Sequence, residues 1–294
     1  QAAGCRAMCH LAGASAVDED GRLVLARAGG AERAVAAMAA HPGALAVQEA
    51  GACVLRGLAG LRGGRHLVAQ SGAVEQLLAA AAGHPESAAV QETVCWALSL
   101  LASFCCAKQS DLGRAVAEAV VAGMERHVSS PTVQESACSA LRCLADAGTE
   151  SRRTIGHAGG MQSIVKAMDA HPASEAVQEV GCWAISSAAH GNMDNVMAVL
   201  WAGGVQAVLR AMGSHTPAGS VQEAGVHALR SLAEASPSIM QLGGVDLIHQ
   251  ALAAHPGSKS LQEAGKGALR RIEEHFHGTR VFGGAIHGGS RKKK

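Results

Sequence analysis

The stretch from Val177 to Ile185 reads Val-Gln-Glu-Val-Gly-Cys-Trp-Ala-Ile, and its opening triplet recurs along the chain with one conservative change. The central glutamines of the triplets follow one another at intervals of 43, 43, 44, 44 and 40 residues. A fixed period in this range is typical of a solenoid, in which one helical unit stacks on itself. The six triplets are Val47-Gln48-Glu49, Val90-Gln91-Glu92, Val133-Gln134-Glu135, Val177-Gln178-Glu179, Val221-Gln222-Glu223 and Leu261-Gln262-Glu263.

The residues around the fifth triplet show most clearly that each unit holds three helices. Apolar spacing predicts a short helix over residues 193–201, a second helix over residues 205–215 and a longer third helix over residues 220–235. Gly203-Gly204 permits a tight corner before the second helix, and Pro217 follows its end. The same frame fits the other units, so we predict an all-α, right-handed solenoid.

The frame also divides the chain into units, of which the first is partial. Residues 1–12 align with residues 178–189 without a gap, so we expect the chain to open inside a third helix and the natural protein to continue upstream. We expect a vestigial cap and then a disordered, Gly-rich and basic tail after the last unit. The predicted segments are 1–13 (partial unit), six full units at 14–60, 61–104, 105–147, 148–190, 191–235 and 236–275, and the cap and tail at 276–294.

Composition limits the core and the classes of partner. Hydrophobic residues make up 48% of the chain but aromatic residues only 2%, with no tyrosine, so the core must consist of Ala, Leu, Val, Met and Cys. The formal charge is +1, and without the four basic residues at the C-terminus 21 basic groups face 24 acidic ones. This balance does not resemble the basic footprint of a nucleic-acid binder. No apolar run approaches the length of a membrane span.

Four of the nine cysteines share one position, four residues after the glutamine. Ala52 and Val226 fill that position in other units, so we interpret these cysteines as packing residues in a reducing compartment. We therefore expect a cytoplasmic protein, with a cilium or another organelle as alternatives. We expect no metal site, because no second ligand pair has zinc-finger spacing. The four cysteines are Cys5, Cys95, Cys138 and Cys182.

A histidine precedes each glutamine by seven residues. Neighbouring packed helices lie about 8–10 Å apart, too far for these side chains to share a zinc ion at bonding distance. We predict instead that each histidine ends the second helix and hydrogen-bonds its free carbonyl groups. We predict that the glutamine satisfies a backbone group between units, and that the glutamate favours the dipole of the third helix. The histidines are His41, His84, His127, His171, His215 and His255.

The three-helix unit, its length, the Gly-Gly corner and the pattern over residues 177–185 resemble the armadillo repeat over about residues 1 to 275. Four of the six histidines are followed directly by proline. Units that combine this His-Pro pair with the Val-Gln-Glu triplet also look like repeats in leucine-rich repeat kinases and in protist and algal armadillo proteins. The resemblance implies binding of extended peptides or other proteins in a concave groove lined by third helices. The importin-α branch carries Trp and Asn four residues apart on this helix. Only Trp96 and Trp183 keep that Trp and no unit keeps the Asn, which disfavours nuclear-import cargo binding.

The face of the third helix that varies between units is the predicted binding surface. Positions +1, +5 and +8, counted from the glutamine, share one face by helical spacing. The +5 position changes type from unit to unit, and +8 is Arg in four units and Ser in two. Trp96 and Trp183 would act as apolar anchors, as partly exposed Trp and Arg suit a binding hot spot. The predicted site is Cys53, Arg56, Trp96, Ser99, Ser139, Arg142, Trp183, Ser187, His227, Arg230 and Arg270.

These observations favour a non-catalytic scaffold that binds a protein or extended peptide of acidic or polar character. No catalytic triad and no phosphate-binding loop has the required spacing, so we expect no enzyme activity and no cofactor. The alternative is a structural subunit of a large, multi-subunit assembly, for example in a cilium or organelle. Such a subunit would contact its partners through its convex face and ends. A carrier of nuclear cargo is the third hypothesis, and a merely solvated face is the plainest interpretation of the variable stripe.

Overall fold

A computed structural model describes residue 24 and residues 26–106 and 110–286. The predicted partial unit at 1–13 and residues 287–294 lie outside this part of the chain. All regular structure within it is helical, which confirms the all-α fold. The α-helices are α1 (Gly30–Ala40), α2 (Leu45–Ala59), α3 (Gly64–Gln70), α4 (Ala73–Gly83), α5 (Ala88–Cys106), α6 (Ser110–Arg126), α7 (Pro131–Asp146), α8 (Thr149–His157), α9 (Gly160–Ala170), α10 (Glu175–Ala189), α11 (Met193–Trp201), α12 (Gly204–Ser214), α13 (Gly219–Ser231), α14 (Ser236–Gln241), α15 (Gly244–Ala254) and α16 (Lys259–Ile286).

The third helices of successive units pack against one another in chain order and form the spine of the solenoid. These helices are α2, α5, α7, α10, α13 and α16. One face of each helix is buried because apolar side chains recur every three or four residues. The triplet Val, or Leu261, is buried in every unit, as the sequence predicts. The continuous core consists of Ala, Leu, Val, Ile, Met and Cys side chains, without a buried aromatic residue among those described.

The unit at 191–235 shows how closely periodicity sets the helix bounds. α11 covers the predicted 193–201, and α12 covers Gly204–Ser214 rather than 205–215. α13 ends at Ser231, and a separate 3-10 turn covers Ala233–Ala235. α14 starts directly after that turn and has 6 residues where α11 has 9, and the shorter helix accounts for most of the shorter interval of 40 residues before the last triplet.

The corner between the first and second helices depends on one glycine. Gly203 has φ +77°, a left-handed conformation that side chains with a Cβ rarely adopt. Gly29, Gly72, Gly159 and Gly243 take the same conformation at the same position. In the unit at 105–147 that position is Ala115, which lies inside the single helix α6. The prediction of three helices is therefore wrong for this unit, because without the glycine the chain does not turn.

The predicted cap does not form a separate unit. α16 runs without a break from Lys259 to Ile286, through Gly283-Gly284. Residues 276–286 therefore continue α16 instead of opening a further unit, and a capping role for them stays a prediction. Glycine lowers helix propensity without ending a helix by itself, and no proline follows residue 256.

No described helix is by itself both long enough and apolar enough to cross a bilayer. α11 and α12 meet those requirements only as a pair, and the pair is bent by 71°. Much of α12 is buried in the core of the solenoid, so its apolar character is accounted for by packing.

Candidate functional site

The triplet glutamine has a structural role within its own unit. Gln178 Nε2 donates to the Met168 carbonyl oxygen at 2.8 Å and to the His171 carbonyl oxygen at 2.9 Å. The other five glutamines repeat this pair of bonds at distances of 2.7 to 3.4 Å. Both acceptors lie at the end of the second helix, where carbonyl groups lack helical partners. The predicted bond between units is wrong, because the intervening loop folds the glutamine back over its own second helix.

The histidine makes the contact between units. His171 Nε2 lies 2.7 Å from the Val128 carbonyl oxygen, just beyond the end of α6 in the preceding unit. A carbonyl can only accept, so Nε2 carries the proton. The histidine does end the second helix as predicted, but its ring satisfies the neighbour's carbonyl rather than its own. The other bonds of this histidine ladder are His84 to Pro42, His127 to Pro85, His215 to Pro172 and His255 to Thr216, at 2.8 to 2.9 Å.

We call the solvent-facing side of α2, α5, α7, α10, α13 and α16 the third-helix face. All eleven predicted site residues lie on these helices, and none of them is buried. Arg230 and Arg270 are exposed and the other nine are partly exposed. Ser186, at position +8 of its unit, is buried and its Oγ lies 3.2 Å from Ser231 Oγ. It therefore belongs to packing between α10 and α13 rather than to a surface.

Three of the predicted residues form a stacked row across three units. Arg142 of α7 places its guanidinium carbon 4.9 Å from the centroid of the Trp183 ring on α10. The same indole lies 4.8 Å, centroid to centroid, from the His227 ring on α13, at an interplanar angle of 34°. A cation over the indole and a ring beside it hold Trp183 in place. We call Arg142, Trp183 and His227 the stacked row.

The other predicted anchor, Trp96, stands apart from the stacked row. Arg56 precedes it by one unit, as Arg142 precedes Trp183, but its Nη2 lies 3.7 Å from Cys53 Sγ on its own helix. Ser99 Oγ donates to the Trp96 carbonyl oxygen at 2.8 Å. Arg270 lies at the far end, where its Nε is 3.8 Å from Glu274. The structure therefore brings together the middle of the predicted site and leaves its ends separate.

Glutamates at +1 form a row along the third-helix face. Burial raises the pKa of Glu135, and the carboxylates of Glu92 and Glu179 in the neighbouring units raise it further. Two of these carboxylates also accept hydroxyl bonds across units, from Ser87 to Glu49 at 3.4 Å and from Ser260 to Glu223 at 2.5 Å. The glutamates therefore serve packing between units and repel one another along the row.

A polar pocket of about 240 Å³ opens beside the stacked row, where the third helices α7, α10 and α13 end next to α16. Three of its lining residues, Ser187, His227 and Arg230, belong to the predicted site. The sequence did not predict the other six. Arg152 and His190 come from the first helix and the linker, where units differ most, and Arg271 holds the +9 position. The lining is Asp146, Arg152, Ser186, Ser187, His190, His227, Arg230, Ser231 and Arg271.

Two arginines of this pocket are held in place by the protein. Arg152 donates from Nε to the Ala145 carbonyl oxygen at 3.1 Å and from Nη1 to the His190 carbonyl oxygen at 2.9 Å. Arg271 Nη2 lies 3.3 Å from Glu234 Oε1, with both side chains mostly covered. Arg230 has no ion pair within the described chain. Burial lowers the pKa of His227, and Arg230 lowers it further against the opposing effect of Glu223.

The cysteines of the third helices belong to the core. Burial raises the pKa of Cys95, Cys138 and Cys182 to about 12, so each thiol stays protonated. A protonated, buried thiol is a poor nucleophile and a poor metal ligand. The packing role predicted for these three residues is confirmed, while Cys5 lies outside the described residues.

Comparison with known proteins places the fold. No protein-family model and no curated protein matches the chain, so the narrower likeness to particular armadillo subtypes stays a prediction. Among solved structures, a designed armadillo repeat protein in complex with the peptide (KR)4 is 21% identical, with a TM-score of 0.63, covering 77% of this chain and 93% of its own. Computationally designed armadillo repeat proteins for modular peptide recognition are 20% identical, with a TM-score of 0.65, at 82% and 99% coverage.

A third similar structure comes from work on a phosphorylation switch that controls the interaction between cadherin and beta-catenin. It is 14% identical, with a TM-score of 0.71, and the match covers 87% of this chain and 51% of that one. Identities this low carry the architecture but not a binding partner. The chain is therefore an all-α solenoid with the armadillo-type fold.

Proposed function

We propose that this chain is a non-catalytic interaction scaffold that binds an extended segment of a protein partner on its third-helix face. The observation that carries the proposal is the stacked row. Arg142, Trp183 and His227 come from three units and meet on the surface without being buried. Packing of the core does not require a surface row of this kind. Trp and Arg side chains ordered before binding lose little conformational entropy on binding and are typical of hot spots.

The charges of the face favour a partner with acidic or polar side chains near this row. Arg142 and Arg230 flank Trp183 and His227, and Arg230 has no carboxylate partner in the described residues. One structurally similar designed armadillo repeat protein is in complex with the basic peptide (KR)4, but here a basic segment would meet these two arginines with like charge. The glutamates at +1 lie along the other side of the face, so a basic flank of the partner would fit there.

Selection of peptides tests the proposal. A random linear peptide library is selected against the intact chain, and the isolated peptides are measured against the double variant Trp183→Ala/Arg142→Ala. We expect at least about a tenfold loss of affinity, because hot-spot residues contribute about 2 kcal/mol or more each. Trp201→Ala is the matched control, since Trp201 is 80% exposed but lies on the first helix α11. Selected peptides that bind the double variant as tightly as the original chain would refute the proposal.

A second candidate function has its own observation. The first helices expose large apolar side chains, with Trp201 80%, Met193 55% and Leu242 43% exposed. Trp201 and Met193 lie at opposite ends of α11, and Leu242 follows α14 in the next unit. This surface favours a structural subunit that contacts its neighbours through the first helices. Cross-links that map to α11 and α14 rather than to the third-helix face would favour this function.

A further inference from the structure

The polar pocket beside the stacked row has a cationic lining that the fold does not require. Its walls come from the ends of α7, α10 and α13, from α8 and from α16. Arginine is the side chain that binds carboxylate and phosphate groups with paired hydrogen bonds. Three of them, Arg152, Arg230 and Arg271, line one pocket of about 240 Å³.

Acidic side chains and helix ends oppose the charge of these arginines. Glu234 neutralises Arg271 through the contact at 3.3 Å, and Asp146 lies on the pocket wall. Helix ends contribute partial negative charge, which Arg152 offsets at the carbonyl groups of Ala145 and His190. Arg230 retains a full positive charge without an ion pair among the described residues. The pocket therefore has a positively charged group for which the protein supplies no acceptor.

Other hydrogen-bond donors line the same pocket as Arg230. Ser187 and Ser231 line the pocket, and Ser231 shares a bond with Ser186 whose direction can reverse, since either hydroxyl can donate. Glu234 fixes the guanidinium of Arg271, whose other N–H groups are not used by that contact. An anion entering here would meet donors already held in place, which is the arrangement that gives affinity at low entropic cost.

From this arrangement we infer that the pocket binds an oxyanionic side chain of the partner segment, a carboxylate or a phosphate, while the neighbouring residues of that segment lie on the stacked row. The inference rests on the proposed function, because His227 lines the pocket and also stacks on Trp183. Arg230 is the main contact, and Arg152, Arg271 and the two serines complete the donors. Burial is the main cause of the lowered pKa of His227, Arg230 lowers it further, and a bound anion would act in the opposite direction.

The test uses the peptides selected on the intact chain, synthesised with each acidic residue replaced in turn by its amide and, separately, by serine and phosphoserine. We expect one position at which loss of the charge weakens binding at least about tenfold. Arg230→Gln should remove that preference. Arg153→Gln is the matched control, because it removes the same charge from an exposed position on α8, outside the pocket lining and outside the predicted site.

Phosphoserine that binds more tightly than the acidic residue identifies a phosphate, and the reverse identifies a carboxylate; either result supports the inference. Peptides that bind regardless of acidic residues, and equally to Arg230→Gln, would overturn it while leaving peptide binding on the third-helix face intact. Selection that yields no peptide at all would overturn the proposed function as well. Inorganic phosphate that shifts the His227 NMR signals in an Arg230-dependent way, without any preference for acidic peptides, would identify a free anion as the ligand and overturn the peptide assignment.

Discussion

The Cγ of Met212 lies 2.5 Å from the position that a Cβ on Gly225 would occupy. Met212 lies ten residues before the triplet glutamine and Gly225 three residues after it. Within each unit, a larger side chain at one of these two positions is matched by a smaller one at the other. A long side chain faces glycine in four units, Met124 faces Ala137, and the short Ala81 faces Val94. The second and third helices therefore keep their separation because the two volumes vary in opposite directions.

This pair predicts that Gly225→Ala destabilises the chain by about 1–3 kcal/mol, because the added methyl group overlaps Met212 and the core must shift. Urea denaturation measures the change. Gly213→Ala is the control in the neighbouring helix, where no atom lies within 4 Å of the added Cβ. It should be neutral or stabilise by up to about 1 kcal/mol, through helix propensity. Equal effects of the two substitutions would show that Met212 and Gly225 are not in tight contact.

The corner glycine predicts the effect of two reciprocal substitutions, glycine to alanine and alanine to glycine. Gly203→Ala should destabilise by about 1–2 kcal/mol, because alanine is strained in the left-handed conformation. Ala115→Gly should also destabilise, by about 1 kcal/mol, because a glycine in the interior of α6 weakens that helix. Thermal unfolding followed by circular dichroism checks both variants. A stabilising Ala115→Gly would mean that the unit at 105–147 prefers the corner it lacks.

The histidine ladder predicts a cost for removing one ring. His171→Ala leaves the Val128 carbonyl to water and should destabilise the chain by about 0.5–1.5 kcal/mol. The measurement is again urea denaturation. His249→Ala serves as the control, since His249 is exposed on α15 and surface substitutions usually change stability by less than about 0.5 kcal/mol. A cost for His171→Ala no larger than that of the control would contradict a coupling between units.

His227 predicts a dependence on pH. Burial lowers its pKa from the ordinary 6.5, so the unfolded chain takes up a proton before the folded chain does. The contribution of this residue to stability is therefore lost as pH falls from 6.5 towards the lowered value. Between about pH 7.5 and pH 5.5, the free energy of unfolding should fall less in His227→Gln than in the unchanged protein. An equal fall in His227→Gln and in the unchanged protein would contradict the prediction.

The sequence predicted the positions that each unit repeats but not the direction of contacts between units. The buried Val and the surface positions of Trp183 and Arg142 follow from helical spacing alone. We predicted that Gln178 bonds between units and His171 within its unit, and the structure shows the reverse. The spacing along the chain places a residue on a helix but does not show which neighbour its side chain reaches. The continuous helix α6 could have been predicted from the sequence, since Ala115 replaces a glycine on which the corner depends.

The pocket was only partly predictable for a different reason. Arg152 and His190 lie in the first helix and in a linker, where the units differ in length and offer no common position for comparison. Ser187, Ser231 and Arg271 share position +9, which changes from apolar or small to polar in the last three units. That change was the one sign of the pocket in the repeated positions, and it indicates that the polar surface lies in the last three units.

The histidine ladder gives the array a polarity. Each ring reaches back to the unit before it, so a unit brings its own donor to a carbonyl that its predecessor already displays. A solenoid that ends after any unit exposes only a carbonyl at this position, which water satisfies. During synthesis each emerging unit can therefore dock on a folded neighbour before the following unit exists. Growth in chain order from the ribosome leaves no ladder histidine without its acceptor at the advancing end.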